Sequence, residues 1–111
     1  MKTFVVISTA GSEKEGWKIA QQLVEAKLAA CVNVIPKVNS FFYWEGQICQ
    51  EQEVILLIKT IQKRLKKIIK EIKRIHSYEV PEVISLQIDT GEEKYLKWIN
   101  KMLAGKKIKK Y

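Results

Sequence analysis

The stretch from Cys31 to Thr60 reads as two β-strands folded back on each other at Glu45-Gly46, and this hairpin is unusually long for a chain of 111 residues. Along the outgoing strand Val32, Val34, Val38, Ser40, Phe42 and Trp44 share one parity, interrupted by Pro36. Proline lacks the amide that a ladder needs, so this point marks a bulge or an edge. Gly46 supplies the positive φ that a tight hairpin turn commonly requires. The return strand runs from Gln47 to Lys59, and its run Val54-Ile55-Leu56-Leu57-Ile58 is apolar on both parities, as in a strand covered on both faces. Each strand is about twice the usual five or six residues. A 13-residue strand extends roughly 40 Å at about 3.3 Å per residue, beyond what two helices cover. The projecting arm carries Phe41, Phe42, Tyr43, Trp44 and Ile48, and it would expose unpaired backbone and aromatic surface unless another chain completed it. Sheet pairing between subunits is therefore expected, with Phe42, Tyr43 and Trp44 at the oligomer interface. A hairpin folded back over its own sheet is the alternative.

The remaining elements follow from periodicity. Strand one is expected over Thr3 to Thr9, and Gly11-Ser12 then breaks the chain, with Ser12 and Glu15 spaced as a capping box. The first helix carries Trp17, Ala20, Leu23, Val24 and Leu28 as its apolar stripe and is expected to end near Ala29-Ala30. Ile61, Leu65, Ile68, Ile69, Ile72 and Ile75 define the second helix. Ser77 to Glu82 is a loop in which Pro81 biases Val80 towards extended geometry. Strand four alternates through Ile84, Leu86 and Ile88. Thr90 and Glu93 offer a capping box for a last helix bearing Tyr95, Leu96, Ile99, Met102 and Leu103, and Gly105 suits its stop. The order β-α-β-β-α-β plus a terminal helix predicts an α+β, ferredoxin-like antiparallel sheet with two helices on one face. One domain spans 1–111, with a basic tail at 106–111.

Composition narrows the function classes. Hydrophobic residues make up 47% and charged residues 29%, enough apolar surface to order the chain. The longest aliphatic run, Val54 to Ile58, is far short of the roughly 20 residues of a spanning helix, so no membrane association is expected. The apolar stretch Phe4 to Ile7 is shorter than the roughly 7–15 residues of a signal core and reads as strand. The net charge of +8 is concentrated in Lys63, Arg64, Lys66, Lys67, Lys70, Lys73 and Arg74 and in the tail, a pattern that fits a solvated helix face better than a nucleic-acid stripe. RNA-recognition modules share this element order, but they stack bases on aromatics of the central strands; strand one offers only Phe4 and strand three none. With Glu45-Gly46 as the turn, Cys49 lies opposite Phe42 and Cys31 lies 11 residues further along that strand, on the order of 35 Å away. A disulfide needs Cα atoms within about 7 Å, so two free thiols and a reducing cytoplasm are expected.

Several segments resemble the CutA family: Leu28-Ala29-Ala30-Cys31-Val32-Asn33, Tyr43-Trp44-Glu45-Gly46, Glu51-Gln52-Glu53 leading to Lys59-Thr60, His76-Ser77-Tyr78-Glu79-Val80-Pro81-Glu82, and Tyr95-Leu96-Lys97-Trp98-Ile99. The resemblance covers nearly the whole chain in order. It implies a compact homotrimer whose hairpin arms join sheets between subunits, tolerance to divalent cations, and copper binding in some members. The chain departs from the family's His-Pro-Tyr loop start, which here is His76-Ser77-Tyr78. Where copper ligation has been proposed, members carry a cysteine late in strand one and adjacent histidines before the loop. Here those positions are Ser8, Ile75 and His76, and losing thiolate and imidazole donors weakens such a site.

The expected function is thus a trimeric cytoplasmic divalent-cation-tolerance protein. His76 and Cys31 are its candidate metal ligands and copper its candidate ion, with no cofactor required. Glu53, Lys59, Tyr78, Glu79 and Glu82, with Glu51, are candidates for a cleft in which carboxylates attract a cation or pair with Lys59. No zinc spacing, Gly-rich phosphate loop or nucleophile motif occurs, so no enzyme activity is expected. The competing readings are a trimeric signalling or small-ligand-binding protein with no physiological metal, and an RNA-binding module.

Overall fold

The computed structural model describes residues 2–104; the expected stop at Gly105 and the basic tail 106–111 lie outside the described residues. The elements are β1 (Thr3–Ala10), α1 (Glu13–Glu25), β2 (Cys31–Trp44), β3 (Gln47–Ile61), α2 (Leu65–Ile75), β4 (Val83–Gln87) and α3 (Glu93–Leu103), with a single 3₁₀ turn, Gln62–Arg64, leading into α2. All three strand pairings are antiparallel and the sheet order is β2-β3-β1-β4, the arrangement that the β-α-β-β-α-β order predicts.

The hairpin turns at Glu45 (φ 49°) and Gly46 (φ 77°), both left-handed, which defines a type I′ turn. Glutamate is an unfavourable first residue there, whereas asparagine visits this region readily. Glu45→Asn is therefore expected to stabilise the protein by about 0.5–1 kcal/mol, seen as a raised urea midpoint at unchanged slope. Pairing runs Trp44 with Gln47, Phe42 with Cys49 and Val38 with Glu53, then slips, so that Ile35 faces Ile55. Pro36 and Lys37 (φ 58°) thus oppose the single residue Val54, forming a bulge in a strand that is also the sheet edge.

The slip divides the expected one-parity stripe. Val32 and Val34 pair with Ile58 and Leu56 and share their helix-facing side. Val38, Ser40, Phe42 and Trp44 pair instead with Glu53, Glu51, Cys49 and Gln47, whose parity on β3 is that of Ile55 and Leu57 on the opposite face.

Helix α1 ends four residues earlier than expected. Lys27 adopts φ 58°, its amide bonds the Val24 carbonyl and the Leu28 amide bonds the Leu23 carbonyl, a Schellman stop built on lysine in place of glycine. The buried face of α1 is Gly16, Ile19 and Leu23; Trp17 and Val24 from the expected stripe stand 58% and 42% exposed. Gly16 explains this rotation. A Cβ there would lie 2.6 Å from Val54 Cγ2, so the missing side chain lets the helix settle onto the sheet along that line. Ile61 closes β3 and packs with Ile99 and Leu103 of α3 in a second small core, so it is not the first turn of α2. Glu92, not Thr90, caps α3, its carboxylate accepting from the Lys94 and Tyr95 amides.

The main core lies between the sheet and α1 with α2: Val6, Ala10, Leu56 and Ile58 meet Ile19, Leu23, Ile68 and Ile72. The other sheet face is aliphatic and largely open. By register Val5, Ile7, Ile35, Ile55, Leu57, Ile84 and Leu86 share it, with Ile84 52% and Leu86 56% exposed. The expected stripe of β4 thus points away from the helices. Phe41, Tyr43 and Ile48 of the arm are more exposed still.

Candidate functional site

The loop after α2 is built onto the ends of β1 and α1. Ser12 caps α1 as expected, its hydroxyl accepting from the Glu15 amide at 3.1 Å. The Glu15 carboxylate accepts from the Gly11 amide (3.4 Å), one residue before the cap, and also from the Ser77 amide (2.8 Å) and the Ser77 hydroxyl (3.0 Å). Burial pushes the Glu15 carboxyl up, but the two Ser77 bonds, nearby His76 and the Gly11 amide outweigh it and hold the group below its ordinary value. Glu15 is thus a loop anchor that the sequence motif concealed, because a cap alone accounted for it. At the far end of the loop Ser8 Oγ donates to the Glu82 carbonyl at 2.7 Å.

His76 is sealed beneath this loop. Its Nε2 lies 2.6 Å from the Thr9 carbonyl, and its Nδ1 accepts from the Tyr78 amide at 2.9 Å. Those partners define the neutral Nε2–H tautomer, with both nitrogens occupied. Its ring also packs on Tyr78, centroids 4.7 Å apart. Tyr78 in turn lies over Gly11 and donates its hydroxyl to Glu53 Oε2 at 2.7 Å. Burial first, then the Glu53 carboxylate, pushes the Tyr78 phenol upward, so it remains a donor at neutral pH. Glu53 is 7% exposed, so removing that donor strands a buried carboxylate. Tyr78→Phe should cost about 1–2 kcal/mol in urea unfolding; a loss under about 0.5 kcal/mol would mean that water replaces the phenol without penalty.

Beside this network the arm and the loop enclose two adjoining hollows. One, of about 440 Å³, is walled by Phe42, Trp44, Glu51, Tyr78 and Glu79. The other, of about 500 Å³, takes Phe42, Trp44, Glu53, Pro81 and Glu82. Five of the six cleft candidates, Glu51, Glu53, Tyr78, Glu79 and Glu82, therefore come together. Lys59 does not. It lies six residues along β3 from Glu53, about 20 Å away, and bonds Asn33 Oδ1 beside Cys31.

Cys31 and His76 are likewise apart. Cys31 is level with Lys59, which pairs with Val5, whereas His76 sits at Thr9. Both cysteines are free. Among the described residues no group of three or more His, Cys, Asp and Glu side chains is placed to hold a metal ion. Ser8, standing where a ligand was expected from resemblance, is used by Glu82, and Ile75 packs against the main core. No helix among the described residues is long and apolar enough to cross a membrane.

A four-stranded antiparallel sheet with α1 and α2 on one face, an open aliphatic second face and a carboxylate-lined hollow under an over-long arm defines the class: a ferredoxin-like domain elaborated through its β2–β3 hairpin. The model of the CutA1 divalent ion tolerance protein family matches residues 4–102. The divalent-cation tolerance protein CutA of Thermus thermophilus is 41% identical over 95 residues, spanning 86% of this chain and 92% of that protein. The chloroplastic protein CutA of Arabidopsis thaliana is 41% identical over 97 residues, 87% of this chain but 53% of its own length. The chain spans about half the length of the plant and animal relatives it matches. The crystal structure of CutA from Xylella fastidiosa superposes with a TM-score of 0.90 at 34% identity, covering 93% of this chain and 99% of that one. The chain belongs to the CutA1 divalent ion tolerance family.

Proposed function

We propose that this protein is a cytoplasmic homotrimer that takes part in divalent-cation tolerance as a binding protein and not as an enzyme, with its ligand site at the hollow where the arm of one subunit and the 77–82 loop meet a neighbour. The observation that carries this reading is the convergence of Glu51, Glu53, Glu79 and Glu82 around Phe42 and Trp44, beside an aliphatic sheet face left open in the protomer. Carboxylates attract divalent cations, and a subunit boundary supplies the further donors that one protomer lacks. Copper remains the first ion to test. Ligation at His76 requires Nδ1 to release the Tyr78 amide, so a carboxylate-led site competes with a histidine-led one. The aliphatic residues Val5, Ile7, Ile55 and Leu57 on the open face of the two central strands disfavour base stacking, and hence the RNA-binding reading. Free Cys31 and Cys49 support a reducing compartment.

Calorimetric titration of the reduced protein with copper, zinc and manganese is the test. Binding weakened at least tenfold by Glu51→Gln with Glu79→Gln, at unchanged oligomer mass, supports the carboxylate site. The same loss in His76→Ala alone assigns the site to the imidazole. No heat with any ion at micromolar protein removes the metal-binding reading.

A further inference from the structure

The two hollows beside the arm share a wall and differ in their charged ends. Phe42, Trp44 and Val80 line both, while Glu51 and Glu79 belong to the first and Glu53 and Glu82 to the second. Strand geometry produces this division. Glu51 and Glu53 are two apart on β3, so they point to one face at a spacing of roughly 7 Å. Phe42 pairs with Cys49 and Trp44 with Gln47, residues of the same parity as the two glutamates, so both rings stand on that face. The 77–82 loop then adds one further carboxylate to each hollow.

Glu53 is the fixed point of this arrangement. It is 7% exposed and its Oε2 is held by the Tyr78 phenol, but its Oε1 has no hydrogen-bond partner among the described residues. A carboxylate oxygen left so in a largely buried group stays costly until a donor reaches it. Neither hollow has a lysine or arginine in its lining to supply that donor. The carboxylates do not converge on one point, as a bare divalent ion with roughly six to eight oxygen ligands requires; they flank the aromatic wall from two sides. Phe42 and Trp44 are both exposed in the protomer, and aromatic faces attract organic ammonium groups while covering apolar carbon.

We infer that the paired hollows form one binding site for a short aliphatic diammonium ion. One ammonium is held by Glu51 and Glu79 and the other by Glu53 and Glu82, with the methylene chain laid across Phe42 and Trp44. This rests on the hollow being the ligand site proposed above, and it adds an organic dication to the metal ions tested there. Each ammonium carries three donors, enough to reach Glu53 Oε1 and the neighbouring carboxylate together. Once one end is seated, the short chain makes binding of the second an intramolecular event, so a diamine gains far more than twice the hold of a monoamine. The shared apolar wall keeps water from the chain, which a bare hydrated ion cannot exploit.

Putrescine is the probe and butylamine its one-ended counterpart, each titrated calorimetrically into the full-length protein at physiological salt. Putrescine should bind at least tenfold tighter than butylamine. Glu51→Gln and Glu82→Gln, one from each hollow, should each weaken putrescine at least fivefold, and Glu45→Gln, at the hairpin turn outside both hollows, less than twofold. No binding of putrescine to wild type at millimolar concentration overturns the proposal. If zinc still binds in that case, the carboxylate metal site stands without it; if zinc fails as well, both fall. Equal affinity for the two amines, or unchanged putrescine binding in either hollow variant, also overturns it. Equal weakening by all three variants would replace the site with a diffuse acidic surface.

Discussion

On the proposed trimeric assembly, Leu86→Asp is expected to leave a single 12.9 kDa chain at micromolar concentration where the unaltered protein has the mass of three. Leu86 stands 56% exposed opposite Val5, on the aliphatic face continued by Ile7, Ile84, Ile55 and Leu57. If neighbouring copies cover that face, an unpaired carboxylate there costs several kcal/mol, and closed symmetry repeats the penalty at every boundary. The main core lies on the other side of the sheet, so the released chain should keep its helical circular dichroism. Trp17→Asp is the matched control, since Trp17 is as exposed but sits on α1, and its mass should not change. A wild-type protein already monomeric, or a variant that keeps three chains, would remove the trimer from the proposed function.

Gly16→Val should destabilise by about 3 kcal/mol or more, enough to leave the protein unfolded at moderate urea. Helix propensity alone favours replacing glycine, since valine is the better helix former by a few tenths of a kcal/mol. Packing reverses the sign. The new Cβ would meet Val54 Cγ2 at 2.6 Å and Val34 and Leu56 at 3.5 and 3.6 Å, before either valine methyl is placed. Val54 is 2% exposed and β-branched, so it has nowhere to turn. Lys18→Val, two residues on and exposed, adds a valine with no clash against the sheet and loses only a few tenths of a kcal/mol in helix propensity, so it should move the midpoint little. Equal effects from the two substitutions would show that the helix can lift off the sheet at low cost.

Gly16 also shows what periodicity conceals. The order of elements was legible because α2, β4 and the hairpin each carry their own period, and the antiparallel sheet follows from that order. The face of α1 was not, because the residue nearest the sheet has no side chain to count, while Trp17 carries a strong apolar signal on the rim. Lys27 ended the helix early through a backbone conformation that glycine, not lysine, usually announces. At the site, the loop's approach to β3 brings the glutamates near one another, whereas Lys59, expected as their counter-charge, sits too far along the strand. Glu15 was hidden behind a sufficient local explanation. His76 was visible as the lone imidazole, but the two bonds that occupy its nitrogens come from residues 67 positions earlier and two later, and only the folded chain brings the first of them near.

The extra residue at Pro36-Lys37 works like a slipped stitch: it shifts which positions point inward along the sequence without moving the arm. Removing one of the two would leave the other facing Val54, with Val38 still opposite Glu53 and Phe42 still opposite Cys49, so the outer half would keep its side towards the glutamates. Relatives that lack a residue at this hinge would therefore keep the same arm residues in the hollow while their alternation ran unbroken along the strand. Alignments of the arm and of its base are best made separately for that reason.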